Sequence, residues 1–176
     1  MKKFLLILLA LCSQASYSQK IGDKIFDKFD STYTISTKDE TLVGKILGKN
    51  FLYVIIYYAC LKQAKFINRP DAKTFNVQFG FKTNIVTSID NESEIKVEFS
   101  DGTLGTYNLR NFNNRIVTEM GVISFKVPLG DKLYTTDIKS IRIRTSETNL
   151  DYEIPTKKAS YIKNALTLVK TESEKQ

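Results

Sequence analysis

EIKVEFSDGTLGTYNL, residues 94–109, carries an apolar alternation on each side of an Asp-Gly pair, the pattern of an antiparallel hairpin. A two-residue Asp101-Gly102 loop would bring Leu104, Thr106 and Asn108 onto the sheet face of Ile95, Val97 and Phe99. A three-residue loop, Ser100-Asp101-Gly102, brings Gly105, Tyr107 and Leu109 there instead, because one residue of slip moves every side chain to the other face. The longer loop buries more apolar surface. It also sets Gly102 at a left-handed position, where glycine carries no Cβ penalty. The three-residue loop is therefore expected, with Asp101 as its structural corner. A lone carboxylate lacks the several oxygen ligands that calcium requires.

The same periodicity recurs on both sides of this hairpin. SIRIRTSETNLDYEI, residues 140–154, predicts a second one. A four-residue loop over 146–149 pairs Ile141 with Ile154, Ile143 with Tyr152 and Thr145 with Leu150 on the buried face. It sets Arg142 opposite Glu153 and Arg144 opposite Asp151 on a solvated one. Upstream, residues 23–37 alternate and are rich in Thr, Tyr and Phe, which favours strand. NFLYVIIYYACL, residues 50–61, has little alternation and reads as a strand covered on both faces. TFNVQFGFKT, residues 74–83, places Phe75, Val77, Phe79 and Phe81 on one face, and GVISFKVPLG, residues 121–130, is another alternating strand. DKLYTTD, residues 131–137, suits a short helical turn or an irregular link.

After Pro155 the period changes. Thr156 is a good N-cap, and Ala159, Ile162, Leu166 and Val169 form one helical stripe. These signals predict a mainly β (α+β) domain: an antiparallel, sandwich-like sheet with a C-terminal amphipathic helix over about 156–170 packed on it. Residues 171–176 are expected to fray. Lys157, Lys158, Lys163 and Lys170 would also let that helix lie on an anionic membrane, but a sheet with one apolar face needs a second layer.

The N-terminus has Lys2 and Lys3, the apolar run FLLILLAL over 4–11, and the small polar SQASYSQ. This predicts a secretory signal peptide over 1–18, cleaved after Ser18. The run is too short to span a bilayer as a helix. Lipidation of Cys12 is the alternative, although Leu11 stands where the processing step needs a small residue. The remaining 19–170 suit one domain. Cys60 is then the only cysteine left, so no disulfide framework is expected, and its setting in VIIYYACL reads as a buried small hydrophobe.

The formal charge is +7, or +5 without Lys2 and Lys3 (24 basic against 19 acidic). Such an excess favours anionic surroundings: an acidic envelope protein, an anionic glycan or a lipid surface. The basic residues are scattered, which points away from nucleic acid. The densest set, Lys62, Lys65, Arg69 and Lys73, is the candidate partner-binding site. If 61–69 were helical, its first three members would share one face.

With no histidine, the chain lacks the commonest general base and transition-metal ligand, and one mature cysteine cannot build a thiolate cluster. No phosphate-binding glycine loop, dinucleotide fingerprint or nucleophile elbow is present. No metal, cofactor or catalytic residue is therefore assigned. Glu92 with Glu94, Asp151 with Glu153, or Glu147 would have to serve a carboxylate-based glycan hydrolase, yet they lie in polar turns or on exposed faces. Ser160 and Lys163 match a Ser-x-x-Lys spacing, which recurs by chance. Tyr53, Tyr57, Tyr58, Tyr107 and Tyr152 are candidate aromatic platforms for sugars or bases, with core packing as the simpler role.

IDNESEIKVEFSDGTLGTYNL (89–109), DIKSIRIRTSETNLDYEIPTKKASYIKNALTLVK (137–170) and the leader ending Ser18-Gln19-Lys20 resemble small, uncharacterised exported proteins of Gram-negative, Bacteroidota-type bacteria. The resemblance covers most of the mature chain and implies export and a mainly β fold with a terminal helix. It implies no activity and no functional residues. The expectation is an exported, periplasmic or extracellular, non-catalytic binding or envelope-associated module. A glycan hydrolase and a membrane-peripheral lipoprotein are the alternatives.

Overall fold

A computed structural model of the chain describes residues 19–27, 32–44, 51–61, 72–109 and 115–175. The expected signal peptide, with Cys12, lies outside the described residues. The described strands are β1 (Ile21–Asp27), β2 (Thr32–Thr37), β3 (Glu40–Val43), β4 (Leu52–Leu61), β5 (Ala72–Lys82), β6 (Thr87–Ile89), β7 (Glu94–Phe99), β8 (Leu104–Asn108), β9 (Arg115–Val117), β10 (Met120–Val127), β11 (Ile138–Arg144) and β12 (Asn149–Glu153). One α-helix, α1 (Tyr161–Ser173), follows them. The fold is mainly antiparallel β with this helix packed on the sheet.

A six-stranded sheet runs β1-β2-β4-β5-β10, with β3 also paired to β4. A four-stranded sheet runs β12-β11-β7-β8, and β6 pairs β9. Alternation in β5 decides the large sheet's inner face. Phe75, Val77, Phe79 and Phe81 are buried there beside Tyr58, Ile56, Val54 and Leu52 of β4 and Val127, Phe125, Ile123 and Gly121 of β10. Each fully buried aliphatic or aromatic side chain contributes about 1.5–3 kcal/mol of transfer free energy, so these rows dominate the core. The second layer is shared. Tyr107 of the small sheet stacks on Phe125 with ring centroids 4.4 Å apart, and α1 packs on β2 and β4.

The strand-like run over 23–37 is divided into β1 and β2, which pair antiparallel. β4 is not covered equally on both faces. Leu52, Val54, Ile56, Tyr58 and Cys60 are buried, whereas Tyr53, Ile55, Tyr57 and Ala59 are half-buried. On that outer face the cross-strand partners from β5 are Gly80, Gln78, Asn76 and Thr74, which supply no large apolar side chain.

The first hairpin has the expected register. Ile95 pairs with Tyr107 and Val97 with Gly105, and Phe99 N–H donates to Thr103 O at 2.9 Å across a three-residue loop. Gly102 takes φ +80°. In the second hairpin the faces are as expected but the partners move by two. Ile141 pairs with Tyr152, Ile143 with Leu150, Arg142 with Asp151 and Arg144 with Asn149. The loop is only Ser146-Glu147, because Thr145 N–H donates to Thr148 O at 2.9 Å and Ser146 is tied to β6 through Ser88. An even shift leaves every side chain on its face, so the apolar pattern could not separate the two registers. The two hairpins lie side by side through β7 and β11, with Ile95 beside Ile143 and Val97 beside Ile141.

Residues 132–134 form a 3-10 turn whose N-cap, Asp131, accepts from Leu133 N–H at 2.8 Å. Thr156 is not the N-cap of the helix. It opens a separate 3-10 turn, Thr156–Lys158, after Pro155, and α1 starts after Ser160. Of the expected stripe, Ile162, Leu166 and Val169 are buried, joined by Ala165, whereas Ala159 precedes the helix and is half-buried. The helix continues past residue 170 to Ser173, where Glu172 pairs with Lys24 of β1 at 2.7 Å.

Candidate functional site

Among the described residues, the inner face of the large sheet is left open at one end. The cross-strand row Tyr58–Phe75–Val127 is its outermost apolar rung, and the C-terminal end of α1 lies over it. Between them is a groove of about 530 Å³. Tyr58 and Phe75 form the floor with ring centroids 5.0 Å apart. Leu129, 66% exposed, adds an apolar wall from the turn after β10. That turn is tight: Asp131 N–H donates to Pro128 O at 3.1 Å, and Gly130 has φ +85°.

Three lysines rim the groove: Lys73 from β5, Lys126 from β10 and Lys170 from α1. Among the described residues, Glu174 is the single carboxylate beside them. Strand parity explains two of these positions. Lys73 lies on the inner face one step beyond Phe75, while Lys126 is on the outer face of the edge strand β10 and borders the groove from there.

Other lysines are engaged: Lys132 with Asp101, Lys139 with Glu98, Lys163 with Asp137 and Lys158 with Glu40. Among the described residues, Lys73, Lys126 and Lys170 form no ion pair. Thr74 and Ser173 have committed hydroxyls. Thr74 donates to Ala59 O at 3.4 Å and Ser173 to Lys170 O at 2.7 Å.

Of the basic set expected to bind a partner, only Lys73 is described, and it stands on this rim. Lys62, Lys65 and Arg69 lie outside the described residues, as does the helical reading of 61–69. Residue-type density along the chain missed Lys126, which looks like any outward position of an alternating strand. Lys170 was legible only as one of several helix lysines. Leu129 carried a weak signal, an apolar residue between Pro128 and Gly130.

The tyrosines separate by face. Tyr58 is in the groove floor, Tyr53 and Tyr57 are on the outer face, and Tyr152 is buried. Tyr107 donates its hydroxyl to Asp131 at 2.7 Å, and burial followed by this bond pushes its pKa up. Burial pushes the Tyr152 phenol up to about 12. Cys60 is buried.

The carboxylates that depart from their ordinary range do so downward. Lys132 and then Thr103 hold Asp101 at about 2, and Asp101 also accepts from Thr103 N–H at the hairpin corner. The bond from Lys96 lowers Glu94, that from Lys139 lowers Glu98, and that from Arg142 lowers Asp151. Glu172 is held at about 2 by Lys175 and Lys24. These are cations on a solvated surface, and they keep the carboxylates ionised and unsuited to donating a proton. Among the described residues no group of three or more His, Cys, Asp or Glu could hold a metal ion. No helix among them is long and apolar enough to cross a membrane.

No family model matches the chain, and no curated protein or solved structure matches it either.

Proposed function

We propose that the protein is an exported, non-catalytic binding module and that the groove between the end of the large sheet and α1 is its ligand seat. The observation that carries this reading is the pairing of an apolar floor, Tyr58, Phe75 and Val127, with three lysines that meet no carboxylate partner among the described residues. Small-ligand sites of roughly 300–1,000 Å³ combine an apolar lining with a few convergent polar groups, and this groove has that size and composition. Export rests on the leader over 1–18, with the periplasm or the outside as the destination. A non-catalytic role is supported at two of the candidate acids, Glu94 and Asp151, which Lys96 and Arg142 lower, the opposite direction from the raised acid that glycan hydrolysis requires.

The test is a heteronuclear NMR titration of residues 19–176, which contain the hydrophobic core of the described residues, with lipid and glycan fractions of the host envelope. Shifts concentrated at Phe75, Val127, Leu129 and Lys170 are expected. Shifts elsewhere, or turnover of a glycan during the titration, would overturn the reading. Intact-mass analysis of native material addresses the lipoprotein alternative, because an acylated Cys12 and a start at Gln19 exclude each other.

A further inference from the structure

Taking the groove as a ligand seat, we infer that its occupant is a monomeric, single-chain anionic amphiphile: an acyl or alkyl chain ending in a carboxylate or phosphate. The tail half of the argument is continuity. The floor row Tyr58–Phe75–Val127 is followed inward by Ile56, Val77 and Phe125, all buried, so a hydrocarbon chain on the floor extends an existing core. Leu129 leaves most of its apolar surface in water, surface that a tail would cover.

The head half is charge. Among the described residues, three ammonium groups against one carboxylate, Glu174, give the rim +2 (3 − 1). One feature opposes an anion, since the C-terminal end of α1 carries a partial negative charge of roughly half an elementary unit. Its last carbonyls are partly satisfied, because Lys170 O accepts from both Ser173 Oγ and Glu174 N–H. The remaining dipole is smaller than the excess of lysines. A neutral sugar fits less well. The hydroxyls of Thr74 and Ser173 donate elsewhere, whereas sugar recognition needs polar groups left free to bond the ligand.

The test is calorimetric and NMR titration of residues 19–176 with dodecyl phosphate and dodecanoate below their micellar concentrations. Dodecyl maltoside, inorganic phosphate, an acidic oligogalacturonate and phosphatidylglycerol vesicles serve as the other arms. Both anionic amphiphiles are expected to bind one to one and to shift Phe75, Val127 and Leu129. Dodecyl maltoside should bind at least tenfold more weakly, and inorganic phosphate should leave those resonances in place. K126Q/K170Q, at two exposed positions, should weaken dodecyl phosphate about tenfold with an unchanged unfolding midpoint. L129N should weaken dodecyl phosphate and dodecyl maltoside alike.

Equal affinity for the maltoside and the phosphate, or indifference to K126Q/K170Q, would overturn the anionic assignment. Binding to vesicles but not to monomers would replace it with surface docking. Groove shifts with oligogalacturonate alone would leave the ligand seat standing and the occupant wrong. Silence of the groove toward every arm would remove both.

Discussion

Gly80 of β5 and Gly121 of β10 each lie under an aromatic ring, and replacing either by alanine tests what holds the large sheet together. A Cβ on Gly121 would stand 2.3 Å from Cζ of Phe81, and one on Gly80 would stand 1.9 Å from Cε1 of Tyr53. The second overlap is tighter, yet the first substitution should cost more. Phe81 is fully buried, so its ring has nowhere to go, while the half-buried Tyr53 can swing outward. Overpacking a closed core costs about 1–3 kcal/mol. Against it stands a gain of roughly 0.5–1 kcal/mol from the lost backbone freedom of a strand glycine.

Gly121→Ala is therefore expected to destabilise by about 1–2 kcal/mol, a fall in melting temperature of roughly 2–8 °C for a domain of this size. Gly80→Ala should stay within about 1 kcal/mol of the parent, since it loses little more than the tilted contact of Tyr53 with Phe51. Urea unfolding at constant m-value measures both. Adding Phe81→Leu to Gly121→Ala should recover part of the loss, so that the double variant is more stable than the sum of the two single changes. A Gly121→Ala protein as stable as its parent, or a double variant that is merely additive, would refute the reasoning.

Three further outcomes follow from local geometry. Gly102→Ala should cost about 1–2 kcal/mol in the same unfolding assay, all of it backbone strain, because φ is +80° and a Cβ there meets nothing within 4 Å. Leu166→Ala should cost about 2–5 kcal/mol, since this fully buried side chain joins α1 to the core. Asp101→Asn keeps an oxygen to accept from Thr103 but loses the charge that Lys132 stabilises. The folded carboxyl is held at about 2, below its ordinary 3.8, so its contribution is complete above the unfolded value and is lost as pH falls from about 4 to 2. Chemical unfolding of the two proteins should accordingly differ at pH 7 and converge near pH 2. A constant gap across that window would show that the ion pair is not its source.

Local pattern made much of the fold legible. Alternation in 94–99, 104–109 and 75–81 assigned faces correctly, because side chains of a strand point to opposite sides whatever the partner. The loop at Gly102 was readable because one left-handed position and one apolar register agree. The stripe of α1 survived even though Thr156 does not cap it, since burial of Ile162, Leu166 and Val169 follows helical spacing and not the first turn. Errors arose where parity is silent. The second hairpin shifted by two residues because Thr145, Thr148 and Ser88, not the apolar face, set its loop. β4 looked uniformly apolar, but on its outer face Ile55 and Tyr57 lie opposite Gln78 and Asn76 of a neighbouring strand.

For the candidate site, the chain's own order was the obstacle. Density along the sequence points to Lys62, Lys65, Arg69 and Lys73, of which only the last is among the described residues, and it lines the groove. Lys126 and Lys170 join it from a strand and a helix far apart in the chain. The sequence by itself determined periods, faces, the turn glycine and the helical stripe, because steric and hydrophobic preferences act within a few residues. Only the tertiary structure decided that β5 lies between β4 and β10, that α1 ends over Phe75, and that three lysines meet at an apolar floor. Those are consequences of which buried rows pack together over long separations, a choice made by the whole core at once.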